Sequence, residues 1–413
     1  MESRAIEGAD HRHGASTSPL PAPTLPAIRV TAAKPVPFAM IGGGEGAFIG
    51  EVHRLAARLA GNCRLVAGAF SSDPARSRRS GEAIGIDPAR VYPDWQTMIA
   101  AEAAAAPEQR IGFVAIVTPN HVHAAPATAA LEAGLAVLTD KPLAGTLADA
   151  ELIAAAAART GGLVGLTHTY AGYPMVKEMR ALVAAGELGA IRRVAVSYTQ
   201  GWLSRADDGA ASAQAAWRID PARSGDTGAF GDIGSHAFHL VETVTGEHLT
   251  SLAAELRAVV PGRVLDDDGA ALFRLSGGGR GTLVASQVAT GDINQLDLAV
   301  YGEHASLHWR QEDPNHLTVR RRDRPEERWT AGAGVSYLGP EARAATRLPA
   351  GHPEGYLEAF ANIYRAFADR VATRRAGDDH GFGTLDEAMR TMRFLHAAKA
   401  SSDAGGRWQE IAR

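Results

Sequence analysis

At 413 residues the chain is longer than a single hydrophobic core usually grows, so two domains are expected. Apolar residues make up 46% against 21% charged, and no run approaches the ~20 uninterrupted apolar residues of a membrane helix, which argues against a disordered or membrane-spanning chain. The net charge of -4 gives no pull toward a polyanion, and the densest basic run, Arg320–Arg322, is followed at once by Asp323 and Glu326, so nucleic acid is not an expected partner.

Residues 1–36 are rich in Pro, Ala, Ser, Thr and His and carry neither a signal-peptide core nor a twin-arginine motif, so they read as a flexible leader. A pro-segment or a mis-assigned start are the alternatives. The single cysteine, Cys63, cannot form an intrachain disulfide; this suits a reducing compartment, with the cytoplasm as the default location.

From Pro37 the pattern changes. The apolar run 37–41 stops at Gly42-Gly43-Gly44 as a buried strand meeting a turn, residues 49–60 have helical spacing, and 64–70 form a second strand. The alternation continues through a helix at 95–106, a strand at 113–117, a helix at 124–133 and a strand at 135–139. Repeated β–α units of this kind predict a parallel sheet covered by helices, with 37–165 as the first domain. Beyond it, alternating runs at 192–198, 270–275, 282–288 and 296–301, with turns such as Gly277-Gly278-Gly279, predict antiparallel strands in a second domain, 166–413. The stretch 311–349, dense in Pro, Arg and Gly, reads as a surface excursion, and 355–372 and 385–400 as closing helices.

The turn Gly42-Gly43-Gly44-Glu45-Gly46-Ala47 fits G-x-G-x-x-A between a predicted strand and helix. Glycines there let the backbone approach a pyrophosphate, whose charge sits at a helix N-terminus with unpaired N–H groups, so Gly42, Gly44, Gly46, Ala47, Phe48 and Ile49 are candidate dinucleotide contacts. The second strand ends in Phe70-Ser71-Ser72, not in the carboxylate that commonly reads an NAD ribose. Ser71, Ser72 and Arg76 could take a 2′-phosphate, so the pattern leans toward NADP without excluding NAD.

Four lysines stand against 38 arginines, and one of them, Lys141, follows the strand 135–139 at its C-terminal end, where open α/β sheets bind ligands. An ammonium can exchange a proton near neutral pH when partly desolvated; a guanidinium cannot. Asp232 and His236 are four residues apart, so on a helix they share a face and the carboxylate could orient or charge-tune the imidazole. The alternative is an N-cap aspartate with a core histidine one turn on. H-E-x-x-H is absent and no other ligand cluster stands out, so no catalytic metal is expected.

With Thr118-Pro119-Asn120-His121-Val122-His123, Asp140-Lys141-Pro142, Trp217-Arg218-Ile219-Asp220-Pro221 and Gly231-Asp232-Ile233-Gly234-Ser235-His236, the glycine loop makes five markers in order. From about Pro37 to Trp408 the chain resembles the Gfo/Idh/MocA family of oxidoreductases (glucose–fructose oxidoreductase, inositol dehydrogenase and rhizopine catabolism proteins). The resemblance implies an α/β protein: an N-terminal Rossmann domain with a doubly wound parallel sheet, then a C-terminal α/β domain whose large, open, mostly antiparallel sheet carries the substrate site. It implies catalytic roles for Lys141, Asp232 and His236, and cofactor contact by Thr118, Pro119 and Asn120, with His123 and Lys141 alongside. One departure is Asp140 where the family's Lys-Pro motif has Glu, which bears on how the lysine loop is anchored.

The implied activity is hydride transfer between NAD(P) and a secondary alcohol of a sugar or cyclitol ring, with His236 taking the hydroxyl proton, Lys141 stabilising the oxyanion and Asp232 orienting the pair. Tyr170, Tyr173, Trp217, Arg218 and His352 are candidates for polyol recognition. The family also implies a homo-oligomer, dimer or tetramer. Three rival readings are an NAD-dependent glycosidase of the same fold, a non-catalytic dinucleotide-binding regulator, and a reductase of a non-sugar carbonyl or imine.

Overall fold

The computed structural model describes residues 34–208, 213–373 and 381–412. The leader expectation for 1–36 therefore falls almost wholly outside the described residues.

Five strands, β1 (Val36–Gly42), β2 (Cys63–Ala69), β3 (Phe113–Val117), β4 (Ala136–Thr139) and β5 (Val164–Leu166), lie parallel. Along β1 the side chains alternate between two cores: Ala39 and Ile41 meet Ile99, Leu131 and Ile153 on one face, while Phe38 and Met40 meet Val52 and Ala56 on the other. Both faces are thus covered by helices, as an all-parallel sheet requires.

The second sheet is built from β6 (Ile191–Thr199), β7 (Leu249–Arg257), β8 (Asp268–Leu275), β9 (Arg280–Ser286), β10 (Gln295–Gly302), β11 (Ala305–Arg310), β12 (His316–Arg321) and β13 (Glu327–Thr330). The chain then adds β14 (Gly383–Thr384) to the first sheet and β15 (Gln409–Glu410) to the second. The sheet orders are β14-β5-β4-β3-β1-β2 and β13-β12-β11-β10-β6-β9-β8-β7-β15. Among the described residues of the second sheet, only β6 and β9 pair in parallel.

One face of this sheet packs under the helices Ser235–Thr245 and Leu385–Asp403, where Phe238, Val241 and Phe394 meet Leu252, Leu283 and Leu298. The other face is open: β8 alternates buried with exposed positions, and Leu272 is 55% exposed.

Two features differ from the sequence reading. The stretch 311–349 is not simply a surface excursion, because it contains β12, whose Leu317 and Val319 are buried, and β13 paired to it. The helix Tyr356–Thr373 returns to the first sheet, setting Phe367 edge-to-face against Phe113 at 5.3 Å and packing Phe360 and Tyr364 beside Phe38. Hydrophobic periodicity reports which face a helix buries, not which sheet receives it.

Candidate active site

The C-terminal ends of β1, β3, β4 and β5 and the ends of β6, β10 and β11 converge on one cleft of about 690 Å³. In open α/β sheets this is where ligands bind.

On the first-sheet side the cleft is floored by the glycine turn. A Cβ on Gly50 would lie 2.3 Å from the Gly43 carbonyl oxygen, and one on Gly44 would lie 2.7 Å from the Phe70 oxygen, so turn, helix and second strand touch backbone to backbone. The helix Phe48–Ala60 begins at Ala47 with no side-chain cap, leaving first-turn N–H groups toward the cleft. Across it, the Thr118 hydroxyl is buried without a hydrogen-bond partner. An uncapped helix end, a cradle that a Cβ would fill and an orphaned hydroxyl suit a dinucleotide, which the glycine turn and the first turn of the helix would hold. Gly46, Ala47, Phe48, Ile49, Arg76, Thr118, Pro119, Asn120 and Lys141 line the cleft; Gly42 and Gly44 lie beneath it.

Lys141 is carried just past β4. Its loop is pinned by Asp140, whose Oδ1 accepts from the Lys141 backbone N–H (2.9 Å) and the Thr167 hydroxyl (2.7 Å). The shorter carboxylate therefore anchors the loop. Lys141 Nζ donates to Asp232 Oδ1 at 2.8 Å and to the Asp232 carbonyl oxygen. Asp232 lies in a π-helical turn, Phe230–Gly234, that runs into the helix Ser235–Thr245. Such turns are frequent at functional sites.

The second Asp232 oxygen accepts from Arg218 Nε (2.9 Å) and Gln287 Nε2 (2.9 Å). The Arg218 guanidinium lies 4.4 Å from the Trp217 ring and 5.9 Å from Trp202. Burial works to raise the Asp232 pKa, but the two cations, Arg218 and Lys141, overcome it and hold the carboxyl well below its usual range. One carboxylate is thus shared by two cations.

His236 is 8% exposed and borders the cleft beside Tyr170, whose ring is 4.8 Å away. Burial, reinforced by Lys141, holds its pKa well below the ordinary histidine value, so the imidazole is neutral at neutral pH. Of the two roles that the spacing suggests for Asp232, orienting His236 or tuning its charge, the geometry favours the second. The Asp232 carboxylate is taken up by Lys141, Arg218 and Gln287, and it acts on His236 only through space.

Both halves of the chain match models of one family. Residues 36–168 match the model described as "Oxidoreductase family, NAD-binding Rossmann fold", and residues 176–308 match the "GFO/IDH/MocA C-terminal domain". The chain belongs to the Gfo/Idh/MocA family of oxidoreductases. It is 33% identical over 92% of its length, and 97% of the relative's, to an uncharacterised oxidoreductase, YfiI, of Bacillus subtilis (strain 168). Its fold is similar to that of an oxidoreductase from Sinorhizobium meliloti (42% identity, TM-score 0.83, covering 91% of this chain and 100% of that one). It is also similar to an inositol dehydrogenase homolog from Azotobacter vinelandii complexed with NADH and myo-inositol (35% identity, TM-score 0.84, 92% and 98%). This oxidoreductase is therefore an NAD-binding member of the family with a sheet architecture its relatives share.

Of the other residues singled out from the sequence, Tyr170, Trp217 and Arg218 line the cleft, and five candidates do not. His123 is fully buried, with ring nitrogens facing the carbonyl oxygens of Thr118 (2.9 Å) and Pro142 (3.1 Å); it braces two cofactor-side loops from behind. Tyr173 is 1% exposed and packs on Trp309. His352 is an exposed turn residue facing the Pro349 carbonyl. Ser71 and Ser72 also lie outside the cleft lining: Ser71 Oγ accepts from the Asp73 N–H, and Ser72 is exposed. Asp73 caps the next helix through the Ala75 and Arg76 N–H groups.

Sequence reasoning missed Tyr198, Gln200, Trp202, Asn294 and Gln311, which form the second-sheet wall of the cleft. The available signal was the end of the β6 alternation, where Tyr198-Thr199-Gln200-Gly201-Trp202 turns polar and aromatic. Among the described residues, no group of three or more His, Cys, Asp and Glu is placed to hold a metal ion, and no helix is long and apolar enough to cross a membrane.

Proposed function

We propose that this oxidoreductase transfers a hydride between a nicotinamide cofactor and a secondary alcohol, or the corresponding ketone, of a sugar, glycoside or cyclitol ring. The observation that carries the reading is the pairing, in one cleft, of an ammonium held by Asp232 with a neutral imidazole: Lys141 and His236. The bound nicotinamide supplies the hydride acceptor or donor. His236 takes the hydroxyl proton, for which a neutral ring is required. Lys141 donates to the same oxygen and stabilises its charge as it becomes alkoxide-like. Asp232 holds the ammonium in place, and Arg218 keeps that carboxylate from neutralising Lys141 alone. The myo-inositol in the Azotobacter vinelandii homolog supports a ring polyol as substrate.

At the adenosine end the same reading favours NADP over NAD. Asp73 is committed to its helix cap, and Arg76 reaches across to within 3.5 Å of a Cβ position on Gly46. A kcat/KM ratio for NADP over NAD above one supports this, and a ratio below one assigns the site to NAD. The open face of the second sheet, with Leu272 exposed, is proposed as the contact for a second copy, which light scattering on the purified protein tests.

The deciding experiment is a screen for reduced nicotinamide, with both cofactors, against inositols, hexoses, anhydrosugars and glycosides. Formation of reduced cofactor with a ring polyol is expected. Release of free reducing sugar without net reduced cofactor would assign the site to glycoside cleavage instead.

A further inference from the structure

The connection between β7 and β8, residues 258–267, lies outside the lining of the cleft, yet it holds the shared carboxylate from two directions. The π-helical turn that presents Asp232 starts without a cap of its own, because Ala229 stands at the cap position and makes no side-chain hydrogen bond. The first N–H groups of a helix are left without partners in that case. Asp266 takes three of them in succession. Its Oδ1 accepts from the Gly228 N–H (2.7 Å), its carbonyl oxygen from the Ala229 N–H (2.8 Å) and its Oδ2 from the Phe230 N–H (2.8 Å). Only a glycine permits this approach at position 228, where a Cβ would lie 2.1 Å from the Asp266 carbonyl oxygen.

The next residue reaches the side chain of Asp232. The Asp267 carbonyl oxygen accepts from the Gln287 N–H at 2.8 Å, and the Gln287 side chain donates to Asp232 Oδ2 at 2.9 Å. The loop is braced in its turn. The buried Asp267 carboxylate accepts from the Val259 and Val260 N–H groups (2.7 and 3.0 Å), and Arg263 donates to the Leu203 and Arg205 carbonyl oxygens (3.1 and 3.0 Å).

The backbone at Asp232 matters as much as its carboxylate, since Lys141 Nζ donates to the Asp232 carbonyl oxygen as well as to Oδ1. A shift of the π-helical turn therefore moves the ammonium directly. We infer that the β7–β8 loop positions Lys141 through Asp232, with Asp266 setting the backbone of the turn and Asp267, through Gln287, setting the carboxylate. Asp266 is thus a positioning residue that acts from outside the cleft. The inference rests on the proposed hydride transfer at Lys141 and His236 and adds the element that fixes its geometry.

Asp266→Asn keeps the volume but leaves one acceptor oxygen where two N–H groups each need one, so the turn must shift. For the polyol turned over, kcat should fall by about 10–100-fold, the scale expected of a misplacement of about 1 Å. Cofactor Kd, set at the glycine turn in the other sheet's domain and read by fluorescence, should stay within about twofold. The deciding readout is a double-mutant cycle. A cap that serves only the fold would cost the same factor whether or not Asp232 is present, whereas a positioning residue costs it only through Asp232. In the Asp232→Asn background the further loss from Asp266→Asn should therefore be less than about threefold. Gln287→Met keeps the side-chain length and removes the donor to Asp232; it should lower kcat by about fivefold or more and lose that effect in the same background, so the test survives if Asp266→Asn does not fold. Variants within about threefold of the wild-type kcat, or a full second loss in the Asp232→Asn background, would overturn the positioning role. A wild type that reduces neither cofactor with any ring polyol would overturn the hydride-transfer reading, and this inference with it.

Discussion

Replacing Asp232 by Asn removes one negative charge from between two cations. Lys141 and Arg218 are 12% and 17% exposed and bind opposite oxygens of this carboxylate at 2.8 and 2.9 Å. With their nitrogens roughly 5 Å apart and an effective dielectric of about 20, the uncovered repulsion is about 3 kcal/mol. If it displaces Lys141 from its place over the reacting oxygen, kcat falls by about 100-fold, at about 1.4 kcal/mol per decade. Cofactor affinity, set at the glycine turn, should change little. The assay is kcat by appearance of reduced nicotinamide, with cofactor Kd by fluorescence and thermal denaturation alongside. A second substitution sharpens the test. Adding Arg218→Leu to Asp232→Asn removes one of the opposed cations, so the double variant should melt at a higher temperature than Asp232→Asn alone, a non-additivity expected of groups in direct contact. An Asp232→Asn enzyme within threefold of wild-type kcat, or strictly additive melting shifts, would refute the shared-carboxylate account.

Lys141→Met should lower kcat by roughly 10²–10³, the loss typical of removing an oxyanion donor, and His236→Gln by roughly 10²–10⁴, each with cofactor still bound as judged by fluorescence. Gly50→Ala places a Cβ 2.3 Å from the Gly43 oxygen, so the turn must open, and titration should show cofactor Kd raised about tenfold or more. Stability should fall on acidification. Burial lowers the His53 pKa from 6.5 to about 4, so its contribution is complete above pH 6.5 and is lost as pH falls toward 4. That amounts to about 2 kcal/mol between pH 7 and pH 5, and His53→Gln should remove this part of the slope in urea denaturation measured at both pH values. The lowered His236 pKa keeps the base unprotonated below pH 6.5, so alcohol oxidation should persist at pH 6; a kcat/KM profile that already collapses there would contradict a neutral His236.

The Rossmann half was legible because its signals are local. The apolar runs of β1 and β3, the glycine turn and the lysine past β4 each announce themselves within a few residues, and the parallel sheet follows from their alternation. The wall that faces them was not. Tyr198 lies on β6, Asn294 just before β10 and Gln311 just after β11, and register across a sheet, not spacing along the chain, brings them together. Asp232 illustrates the middle case. The four-residue spacing to His236 suggests a carboxylate that orients or charge-tunes the imidazole; the charge acts through space, while the π-helical turn and the arrival of Lys141 and Arg218 from elsewhere in the chain give the carboxylate its hydrogen-bond partners. Tyr173 and His352 show the limit of residue type alone: an aromatic or histidine side chain suits polyol recognition, but Tyr173 packs on Trp309 and His352 sits in a solvent-exposed turn.

The central claim is hydride transfer from a ring carbon at Lys141 and His236, and isotope tracing tests it most directly. A ring polyol deuterated at its carbinol carbons is incubated with oxidised cofactor and the wild-type enzyme, and the cofactor is examined by NMR. The account predicts deuterium on the nicotinamide ring, one per molecule of ketone formed, and none from Lys141→Met or His236→Gln beyond their residual rates. Ketone or free sugar appearing without deuterium on the nicotinamide, or transfer at wild-type rates in either variant, would contradict it.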